Sequence, residues 1–62
     1  MTYDKIVHYI GKDIAEFIGM QSAEKLQEMK KQLTEEFKNN TIPNELKFKY
    51  CIELELINNL LK

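Results

Sequence analysis

The run Leu46-Lys47-Phe48-Lys49-Tyr50-Cys51-Ile52-Glu53-Leu54-Glu55-Leu56 alternates apolar and polar side chains, and whether it is strand or helix decides the fold. Read at period two, it is a half-buried strand. Read at 3.6 residues per turn, Leu46, Ile57, Tyr50, Leu61 and Leu54 cluster within an arc of about 80°, and Phe48, Ile52, Leu56 and Leu60 form a second stripe beside them. Composition arbitrates. The alternating residues are mostly Leu, Lys and Glu, helix formers without a branched Cβ, and one strand in an otherwise helical chain would have no partner. A helix over about 44–61 is therefore preferred. The alternative is an α+β chain whose strand, 46–56, pairs across a dimer.

Working back from this stretch, Asn39-Asn40-Thr41-Ile42-Pro43 reads as a turn, because Asn tolerates left-handed φ and Pro43 disfavours helix at Ile42. Before it, Ser22 is a capping residue with Glu24 in the first turn that follows, opening a helix over about 22–39. Its apolar positions Ala23, Leu26, Met29, Leu33 and Phe37 form a narrow seam, and the remaining surface is a solvated mixture of charges. At the start of the chain, Ile6, Phe17, Ile10, Tyr3, Ile14, Val7 and Ile18 fall within about 120° on a helical wheel, which predicts one amphipathic helix over about 3–18. Thr2 is its expected N-cap. Gly19 is expected in the left-handed position after its last turn, with Met20 folded back on the apolar face. Gly11, at the edge of the arc, reads as a place where another backbone comes close. The expected architecture is a single all-α domain over 1–62, a three-helix bundle that dimerises through its third helix.

Composition narrows the classes of function. The 62 residues carry nine basic and ten acidic side chains, and every basic one is lysine. Without arginine, the bidentate contacts typical of specific nucleic-acid interfaces are missing, and no third of the chain departs from neutrality by more than one charge. Nucleic acid is therefore disfavoured, with a small DNA-binding regulator kept as the alternative function. One cysteine, Cys51, and one histidine, His8, cannot supply a disulfide or a four-ligand metal site within one chain. Neither a phosphate-binding glycine loop nor an apolar run long enough for a membrane span is present. The cytoplasm is the expected compartment. The use of Lys, Ile, Asn and Glu without Arg matches the codon bias of AT-rich genomes, such as those of low-GC bacteria and their phages, so a phage or mobile-element origin is expected.

Asp4 and His8 share a helix face at i, i+4, and Lys47 and Lys49 flank Cys51, yet neither group has the further residues that catalysis needs. No catalytic, metal or cofactor site is assigned, and an enzyme is not expected. What stands out is surplus apolar surface. The 44–61 helix carries two apolar stripes where a bundle partner needs one, unless it lies centrally with helices on both sides. The expected function is that of an adaptor or inhibitor docking an apolar helix face on a larger protein, on itself, or on both. Phe48, Ile52, Leu56 and Leu60 are the expected contact stripe, with Tyr9, off the core arc of the first helix, as an aromatic anchor.

Overall fold

The computed structural model describes residues 2–39 and 41–62, and its regular elements are all helical: α1 (Tyr3–Ile10), α2 (Lys12–Gly19), α3 (Ala23–Phe37) and α4 (Asn44–Leu60). The period-two pattern of 46–56 thus lies on a helix, and the strand alternative is corrected. The reason is burial. Helix α4 touches α1, α2 and α3, so its apolar residues Ile52, Leu56 and Ile57 are buried among helices.

Four helices replace the expected three because the first segment breaks at Gly11, whose φ of 93° and ψ of 148° lie in a region essentially reserved for glycine. The break costs little connectivity: Gly11 N–H donates to the Val7 carbonyl (2.8 Å), and the Gly11 carbonyl accepts from Ala15 N–H (3.1 Å). It does re-aim the second half. On a straight helix Ala15 would point about 140° to 180° away from Ile10 and Ile6, and Ile18 about 80° to 120°; in the structure all four are buried in one core. Ile14 and Phe17, which the continuous arc assigned to the core, are instead 44% and 58% exposed. The expected close backbone approach at Gly11 is also corrected, since a Cβ built there would meet nothing within 4 Å. The glycine is there for its φ.

Capping follows the sequence at two helix starts. Thr2 Oγ1 accepts from Lys5 N–H (3.4 Å) and Ser22 Oγ from Lys25 N–H (3.2 Å), each satisfying an N–H the first turn leaves unpaired. The C-terminal cap of α2 differs from expectation. Gly19 stays within the helix, without positive φ, and Met20 is 83% exposed where a fold-back was expected. The Gln21 side-chain amide donates to the Phe17 carbonyl instead (2.8 Å). Between α3 and α4, Asn39 Oδ1 accepts from the backbone N–H (2.9 Å) and hydroxyl (2.7 Å) of Thr41; Asn40 of the expected turn lies outside the described residues.

The core joins Ile6 and Ile10 of α1, Ala15 and Ile18 of α2, Leu26 of α3, and Ile52, Leu56 and Ile57 of α4, with Val7, Met29, Leu33 and Leu61 packed around it. Helix α3 contributes one buried side chain, Leu26, as its narrow seam implies.

Candidate functional site

Of the five residues expected to contact a partner, the fold brings two together at the surface. Tyr9 sits on α1 beside the inward-facing Ile6 and Ile10, and Phe48 sits one turn before Ile52, where the buried line of α4 runs out to solvent. Their rings meet edge to face with centroids 5.2 Å apart and planes at 82°, the geometry that ring quadrupoles favour. His8 extends the array, its ring 5.4 Å from that of Tyr9 and at 75° to it. Tyr9 is 45% and Phe48 50% exposed, so the pair joins α1 to α4 while leaving much of two aromatic rings in water.

The other three expected contacts separate. Ile52 and Leu56 are 4% and 3% exposed and belong to this chain's own core; their place in a contact stripe is corrected, because α4 packs on all three other helices and these two side chains are buried there. Leu60 is exposed, but at α-helical rise it lies about 18 Å along α4 from Phe48, with the buried turns between them. Sequence reasoning missed Ile14 and Phe17, which stand three residues apart on the outer side of α2. The signal that could have found them was Gly11, read as a helix break.

A polar cluster also forms across α3 and α4. The Tyr50 hydroxyl is held above its ordinary ionisation range of about 10 by burial, then by the nearby Glu36 carboxylate and by Glu53. Glu53 is likewise raised above its ordinary 4.5, chiefly by burial and then by the charge of Glu36, with Lys49 opposing. Folding thus brings together Glu36 and Glu53, which the sequence places 17 residues apart. Cys51 is a free, exposed thiol. Asp4 and His8 form no ion pair; His8 turns to Tyr9 instead. Among the described residues there is no metal-binding group of His, Cys, Asp or Glu, no pocket, and no helix long and apolar enough to cross a membrane.

No protein-family model, curated protein or solved structure matches this chain.

Proposed function

We propose that this chain is a small, non-enzymatic protein–protein interaction module, an adaptor or inhibitor that docks on a larger protein through the surface around Tyr9 and Phe48. The observation that carries this reading is the edge-to-face pair itself: two large aromatic side chains from different helices, packed against each other and half in water. Aromatic anchors of this kind dominate binding energy at interfaces, because they bury large area with few rotatable bonds. The accessible surface supports the reading too. It is 4704 Å², against about 4,200 Å² expected for a compact monomer of this mass.

The test is affinity capture from cells of the native host, with wild type and Phe48→Glu run in parallel and both checked for helix content. The expected outcome is a saturable protein partner retained by wild type and lost by a still-helical Phe48→Glu. Equal capture by both would place the docking surface elsewhere. Retention on duplex DNA that weakens steeply with salt would replace this reading with a DNA-binding one.

A further inference from the structure

We infer that Gly11 is a hinge through which two copies of this chain exchange α1, giving a domain-swapped dimer in which residues 3–19 run as one straight helix. The inference is independent of the docking reading. It starts from a conflict between local pattern and fold: seven apolar residues of 3–18 lie on one continuous helical arc, yet the structure interrupts that arc with a single residue in a glycine-only conformation.

No neighbour crowds the bend itself, since the space where a Cβ of residue 11 would project is open; the bend is held by α1 and α2 each packing on α4. Helix α2 also starts without a side-chain cap, because Gly11 has none to offer its first N–H groups. Straightening would pair the N–H groups of Lys12, Asp13 and Ile14 with the carbonyls of His8, Tyr9 and Ile10, making one helix about 25 Å long. It would also carry α1 away from its own α4. The vacated site has one occupant that fits it by construction, which is α1 of a second copy: Ile6 and Ile10 would re-enter the same core, and Tyr9 would meet Phe48 of the other chain at the same edge-to-face angle. Such exchange at a short hinge is a low-cost route to dimers, because the contacts of the closed form recur.

The exposed residues of α2 make the dimer more than neutral. On a straight helix Ile14 and Phe17 fall within about 80° of arc with Ile6 and Ile10, the side that must face the second copy, whereas Ala15 and Ile18 keep facing their own α4. The two large side chains that the bent form leaves 44% and 58% exposed are thus the two that a swapped dimer covers.

The test compares wild type with Gly11→Ala by sedimentation at equilibrium, after refolding at millimolar concentration. Alanine is strained at φ 93° and favoured in a straight helix. From helix propensity alone, the dimer constant should rise about fivefold per chain, or about 25-fold per dimer. In a dimer assembled from isotope-labelled and unlabelled chains, the Tyr9–Phe48 ring contact should be intermolecular. A folded, monomeric Gly11→Ala, or a dimer whose Tyr9–Phe48 contact stays within each chain, overturns the inference. If Gly11→Ala does not fold, the refolded wild type decides, and finding only monomer there overturns it as well.

Discussion

Glu53 shows how one residue's surroundings convert into a measurable dependence on pH. Its carboxyl titrates above the ordinary 4.5 because burial and the Glu36 charge disfavour the ionised form, against the smaller pull of Lys49. A raised pKa in the folded state means that folding is favoured while Glu53 is protonated, and that this contribution is lost as pH rises through the folded value. Glu53→Gln should therefore stabilise the chain at pH 7, by less than about 1 kcal/mol once solvent screening is allowed for. Below pH 4.5 the difference should vanish. Urea unfolding of the two proteins at both pH values measures this, and a stabilisation that persists at pH 4 would exclude the charge as its cause. The residues around Glu53 were legible singly, but the sequence does not show that Glu36, Tyr50 and Glu53 share a site.

The helices differ in how firmly the core holds them. Helix α4 buries Ile52, Leu56 and Ile57 and touches all three others, whereas α3 buries only Leu26 and leaves Phe37 40% exposed near its end. Local stability follows buried apolar contact more closely than helix length. Amide hydrogen exchange should accordingly be fastest among helical positions in the last turns of α3, around Thr34 to Phe37, and slowest at Ile52 to Ile57. Equal protection along α3 and α4 would show that the chain opens only as a whole. The starts of α1 and α3 were readable because capping is local: Thr2 and Ser22 each reach an N–H three residues on. The break at Gly11 was not, because glycine within a helical pattern is compatible with both a helix interior and a bend, and the choice rests on what the two halves pack against.

At the scale of the molecule, 62 residues leave a small margin. Stability of about 0.05 to 0.15 kcal/mol per residue amounts to roughly 3 to 9 kcal/mol, and truncating a fully buried isoleucine to alanine costs about 2 to 5 kcal/mol. Ile57, with 0% exposure, is the most enclosed side chain of α4. Ile57→Ala should lose most of its helical circular dichroism at 37 °C, whereas Phe48→Ala should shift the unfolding free energy by only about 1 kcal/mol. Comparable losses for both would mean that the aromatic pair is part of the core and not a surface kept open for a partner.

The sequence by itself determined the helical character of the chain, the capped starts at Thr2 and Ser22, the narrow seam of α3 and the surplus of apolar side chains on α4. All of these are set by residue type and spacing within one or two turns. Tertiary structure alone decided which part of that surplus is covered. Ile52 and Leu56 are buried because α1 and α2 reach α4, and those two helices reach it together only because the chain bends at Gly11. The same bend turns Ile14 and Phe17 outward, and the packing of α1 on α4 sets Tyr9 against Phe48. Period and propensity describe one helix at a time; the direction of a bend depends on the free energy of packing two helices on a third.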